Sequence, residues 1–118
     1  MTFDFDAIKF YLIPAAFVAF LLYRQLRYRA VAGRLDGLAR EGAVFVDVRT
    51  PAEFSAGSRP GAVNIPLDDL SRRAGELDKK KPVVLCCASG ARSGMAARTL
   101  KSLGFSRVVD AGPWRNTL

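Results

Sequence analysis

Val83-Val84-Leu85-Cys86-Cys87-Ala88-Ser89-Gly90-Ala91-Arg92-Ser93 runs from an apolar stretch through two cysteines into a short loop of small residues, an arginine and a serine. Gly94 to Leu103 follow with helical spacing, and Gly104 stops them. The layout is strand, tight loop, helix N-terminus. Small residues let several backbone N–H groups converge on one point, and the helix adds its positive end there. A thiol held at that point is pushed toward thiolate: a free cysteine titrates near about 8.5, and such surroundings lower it to roughly 3.5–7.5. The loop holds no Asp or Glu to oppose the shift. Arg92 lies where it can face the same point and pair with an anion. Neighbouring strand residues point to opposite faces, so Cys87 is the expected nucleophile and Cys86 a buried strand residue.

Outward from this loop the chain alternates strands and helices. Ala43 to Val48 is too apolar for a half-wet strand and reads as a buried parallel one. Pro51 to Ala56 starts a helix with proline in its first turn. Ala62 to Ile65 is a short strand closed by Pro66. Asp68 to Leu77 is helical, with Asp68 or Asp69 at its cap or in its first turn. Lys79-Lys80-Lys81-Pro82 is an exposed connector. Arg107 to Asp110 is the last strand, with Ala111 to Trp114 turning off it and Trp114 packing on the domain. Strand–helix alternation of this kind predicts a doubly wound α/β domain flanked by helices, whose ligands bind at the carboxyl ends of the strands, where Cys87 lies.

The run Cys87 to Ser93 resembles the active-site loop of the rhodanese (sulfurtransferase) family. Asp47-Val48-Arg49-Thr50-Pro51-Ala52-Glu53-Phe54, Gly57 and Pro60-Gly61-Ala62-Val63-Asn64-Ile65-Pro66 resemble the same family's upstream signature, in the order of a single-domain member. The resemblance covers roughly residues 34 to 114. It implies a rhodanese-like fold and a persulfide on Cys87, with Ala88, Ser89, Gly90, Ala91, Arg92 and Ser93 binding substrate through backbone N–H groups and the Arg92 guanidinium. It also implies that Asp47, Arg49 and Glu53 hold the loops together. The donor would be a small sulfur-containing anion such as thiosulfate, and the acceptor a small thiol, a protein thiol or cyanide. The expected activity is that of a sulfurtransferase, with a persulfide carrier or sulfur-sensing module as the alternative. Phosphatases of related architecture place five residues between cysteine and arginine. Here there are four, Ala88 to Ala91, which suits one sulfur atom better than a tetrahedral phosphate. Rhodaneses often carry His-Ile where this chain has Ser58-Arg59; Arg59 either lines the pocket as a second cation or faces solvent, and solvent is the expectation. The family also has a strand before its first helix, for which this chain leaves little room.

Composition narrows the field further. The chain has 118 residues, a net charge of +7 and no histidine, so His-based metal sites and a His general base are excluded. Two adjacent cysteines make neither a metal site nor a disulfide framework. No metal or other cofactor is expected, and the basic excess has no arginine-rich helix or aromatic platform to read as a nucleic-acid partner.

Residues 1–33 form a segment of their own ahead of a domain over 34–118. Phe10 to Tyr23 is uninterrupted by charge, and Phe5 to Tyr23 would make a helix of about 29 Å against a hydrocarbon core of about 30 Å. Lys9 can snorkel, Tyr11 and Tyr23 can sit at the interfaces, and Pro14 is tolerated in a membrane helix. A secretory signal would carry its positive charge ahead of the apolar run, whereas here Arg24, Arg27, Arg29, Arg34 and Arg40 follow it and only Lys9 precedes it. Residues 5–23 are therefore expected to cross a membrane once, with the N-terminus outside and the domain in the cytoplasm, a reducing compartment that suits a reactive thiol.

Overall fold

A computed structural model describes residues 4–118. The chain opens with a long helix, α1 (Phe5–Ala32), capped by the Asp4 carboxylate, which accepts the N–H groups of Asp6 and Ala7. A two-residue connection leads to α2 (Leu35–Arg40). Then β1 (Val44–Asp47), α3 (Pro51–Ala56), β2 (Val63–Asn64), α4 (Leu67–Arg73), β3 (Val83–Cys87), α5 (Ala91–Ser102) and β4 (Val108–Pro113) follow. Short 3₁₀ turns close α4 at Ala74–Glu76 and the chain at Trp114–Thr117.

The four strands form one wholly parallel sheet in the order β2-β1-β3-β4. Each parallel step needs a crossover, and α3, α4 and α5 supply them. Every residue of β3 is buried, as a central strand covered on both faces requires. On one face Val46, Val83, Leu85 and Cys87 pack against Leu70 of α4 and Ala96 and Leu100 of α5. On the other, Phe45, Val84 and Ala111 pack against Leu35 and Leu38 of α2, with Val31 from the end of α1 alongside. The period-two alternation of β3 thus feeds two cores at once.

Several expectations are refined. Among the described residues no strand precedes α2, so the sheet's edges are β2 and β4. The α-helix begun at Leu67 tightens into 3₁₀ geometry at Ala74 rather than running to Leu77, and Pro66, not an aspartate, sits at its N-cap. Asp68 and Asp69 occupy the first turn. β4 runs on to Pro113 instead of turning off at Ala111, because a register shift lets Ala111 bulge between the Leu85–Asp110 and Cys86–Gly112 pairs. Arg59 does not face solvent: its guanidinium lies 3.8 Å from the centre of the Phe45 ring and donates to the carbonyl of Thr117. The flat cation finds an aromatic face and a backbone carbonyl acceptor there.

α1 is long and apolar enough to cross a membrane by length and composition, and none of its residues is buried. Phe10, Tyr11, Leu12, Ile13, Phe17 and Phe20 all stand exposed.

Candidate active site

The site begins where β3 ends. Cys87 is the last residue of the strand, and Gly90, three residues on, is the N-cap of α5 with φ +102°. That left-handed conformation suits glycine, and it turns the Gly90 N–H back onto Cys87 Sγ at 2.9 Å. The Ser93 hydroxyl lies 3.5 Å from the same sulfur and donates to the Gly90 carbonyl at 3.1 Å. Cys87, Gly90 and Ser93 are buried, while Ala88, Ser89 and Ala91 are exposed. The sulfur therefore sits at the positive end of a 12-residue helix under one backbone donor and one hydroxyl.

Arg92 departs from the sequence reading. Its two terminal nitrogens donate to the two oxygens of Glu53 at 2.7 and 2.9 Å, a bidentate pair that commits the guanidinium to α3. The pair holds the Glu53 carboxyl down at about 2, with the Thr50 backbone N–H adding to the effect, and raises Arg92. Glu53 is placed by a capping box: Thr50 Oγ1 accepts the Glu53 N–H, and the Glu53 carboxylate accepts the Thr50 N–H. One carboxylate thus caps α3 and ties it to the start of α5.

Beneath lies a buried ion pair. Arg49 Nη2 donates to Asp47 Oδ2 at 2.7 Å and to the Gly57 carbonyl at 2.6 Å, and its Nε donates to Asp47 Oδ1 at 2.9 Å. The guanidinium also lies 4.9 Å from the Trp114 ring centre, which joins the loop after β1 to the chain end. The Asn64 amide donates to the carbonyls of Asp47 and Arg49 at 3.1 and 2.9 Å and locks β2 to that loop. Cys86 points toward this pair and is 1% exposed. Burial, reinforced by the Asp47 charge, pushes its thiol up to about 12.

Two contributors lie outside the loop and were missed. The Arg24 guanidinium donates to the Ser89 carbonyl and, through Nε, to the Tyr28 hydroxyl at 3.3 Å. The Tyr28 ring crosses Gly90 and Gly112 so closely that a Cβ at either position would run into it. The last turns of α1 are therefore seated on the cysteine loop. In the sequence Arg24 reads only as one of the charges after the apolar run, and Tyr28 carries no signal. Thr50-Pro51-Ala52-Glu53, by contrast, carries a visible capping signal, and Asn64 carries none.

A parallel α/β sheet ends its central strand in a cysteine under the N-terminus of the next helix, an arrangement that suits a thiol to nucleophilic chemistry. The sequence matches the Rhodanese-like domain family over residues 32–111, and the chain belongs to that family. It is 41% identical over 73 residues to YrkF of Bacillus subtilis, a proposed sulfur carrier, covering 62% of this chain but only 40% of that protein. It is 39% identical over 86 residues to the thiosulfate sulfurtransferase GlpE of Pseudomonas syringae, covering 70% of this chain and 81% of the other. A solved rhodanese from E. coli superposes with a TM-score of 0.60 at 33% identity, covering 63% of this chain and 89% of that one.

Proposed function

We propose that this protein is a membrane-anchored sulfurtransferase that moves sulfane sulfur through a persulfide on Cys87. The observation that carries the reading is the Gly90 N–H held 2.9 Å from Cys87 Sγ at the N-terminus of α5. In the first step the Cys87 thiolate attacks the outer sulfur of thiosulfate. A Cys87 S–S bond forms, the donor's S–S bond breaks, and sulfite leaves with the electron pair. In the second step an acceptor thiolate, or cyanide, takes the outer sulfur and returns the Cys87 thiolate. The Gly90 N–H aimed at the sulfur stabilises charge on it in both steps. Ala88, Ser89, Gly90, Ala91, Arg92 and Ser93 form the walls. Arg92 acts here through Glu53, as part of the frame that also includes Asp47 and Arg49. Residues 5–23 cross the membrane, the N-terminus lies outside and the domain faces the cytoplasm, a topology supported by the arginines after the span.

A carrier with little turnover of its own is the second reading. The seating of α1 over the cysteine loop and the likeness to YrkF favour it. The full chain in detergent micelles, incubated with thiosulfate, separates these readings by intact mass. Gain of one sulfur that cyanide releases repeatedly as thiocyanate supports the enzyme. Gain with almost no turnover supports the carrier. No gain by the folded protein rules out both.

A further inference from the structure

On the sulfur-transfer reading, we infer that the end of α1 selects the acceptor: the cavity between α1 and α5 receives a small organic thiol bearing carboxylates, held by Arg27 and Arg98.

The cavity measures about 590 Å³ and opens between Phe20, Tyr23 and Tyr28 on one side and Gly90, Gly94 and Arg98 on the other. That volume lies in the roughly 300–1,000 Å³ range of organic-ligand pockets, far more than a lone sulfur oxyanion fills. Three guanidinium groups, Arg24, Arg27 and Arg98, line it against one carboxylate, Asp110. Asp110 accepts the Gly112 N–H at 2.9 Å. Arg24 is taken up by the Ser89 carbonyl and Tyr28, and Arg92 by Glu53. Arg27 and Arg98 are exposed and form no ion pair among the described residues. They are the cations left to meet a ligand's anionic groups, while the aromatic side takes its carbon body.

The cavity wall includes Gly90, whose N–H holds Cys87 Sγ. Cys87 itself is 0% exposed, and Tyr28 crosses Gly90, so transfer proceeds when that ring moves aside. The acceptor thiolate then attacks the outer sulfur of the Cys87 persulfide. The new S–S bond forms on the acceptor, the Cys87 S–S bond breaks, and its electron pair stays on Sγ. The carboxylates bind and do not react.

The test uses the full chain in detergent micelles, with Cys87 loaded from thiosulfate and discharged by mercaptosuccinate or by its dimethyl ester at matched thiolate concentration. Loss of the added sulfur is followed by mass for the wild type and for the Arg27→Gln/Arg98→Gln double variant, with circular dichroism confirming that both are folded. The wild type should prefer the diacid by about tenfold, as two charge contacts allow. The double variant should lose that preference while the ester's rate holds. A preference unchanged in the double variant, or equal slowing with both thiols, overturns the inference alone. Failure of wild-type Cys87 to take any sulfur from thiosulfate overturns the sulfur-transfer reading on which it rests.

Discussion

Cys86 and Cys87 are neighbours with opposite surroundings. Cys87 Sγ meets a backbone donor at the end of a strand, whereas Cys86 is turned into a buried ion pair and its thiol is pushed up to about 12. Cys87→Ser should therefore abolish sulfur uptake and Cys86→Ser should keep it, read by intact mass after thiosulfate; equal loss in both would reverse the assignment. Glu53 makes a second prediction. Its carboxyl is lowered from the ordinary 4.5 to about 2 by Arg92. A lowered acid stabilises the folded state above its unfolded value and loses that contribution as pH falls through the folded value. The Glu53–Arg92 clasp should thus stay ionised from neutrality down through pH 4 and release only near 2. A carbon-detected NMR titration of the Glu53 carboxyl checks this, and a midpoint near 4.5 would show that the pair does not persist in solution. At Asp47, loss of the charge strands Arg49 in a buried site. Asp47→Asn should cost about 3–5 kcal/mol, measured by urea unfolding of the full chain in micelles.

At the scale of elements, the cysteine strand and the helix after it were legible in the sequence. Their signals are local: an unbroken apolar run for β3, small residues for the turn, and helical spacing closed by Gly104 for α5. The extension of β4 was not, because the Ala111 bulge depends on a register shift against Leu85 and Cys86 that no local pattern encodes. Arg92 and Arg59 show the same limit. The sequence presents two cations beside a loop; only the packing decides that one is clasped by Glu53, 39 residues earlier, and the other by Phe45 and the chain end. The seating of α1 was equally invisible, since Arg24 and Ser89 are 65 residues apart. It carries a prediction of its own. Tyr28→Ala should speed alkylation of Cys87 by iodoacetamide about tenfold, equivalent to removing ~1.4 kcal/mol of closure. An unchanged rate would mean that the ring does not gate the thiol.

For the whole molecule, α1 separates two readings of one helix. Its 28 residues span about 42 Å, about 12 Å more than a hydrocarbon core. The apolar length was plain from residues 5–23; that the remainder would continue as the same helix and lie against the domain was not. If α1 spans a bilayer, the protein should stay in the membrane fraction through a high-salt or alkaline wash and leave it in detergent. Release by salt alone would mark a peripheral association instead.

The connection from α1 to α2 is only two residues long, and Arg24, Tyr28 and Val31 hold the end of α1 against the domain. On the membrane reading the protein is a bracket rather than a buoy on a tether. The cysteine loop would be carried at a fixed height and tilt above the lipid, with little freedom to tumble. A partner embedded in the same bilayer at the matching height would search in two dimensions and surrender less rotational freedom on meeting it. Geometry, as much as chemistry, would then decide which acceptors receive sulfur.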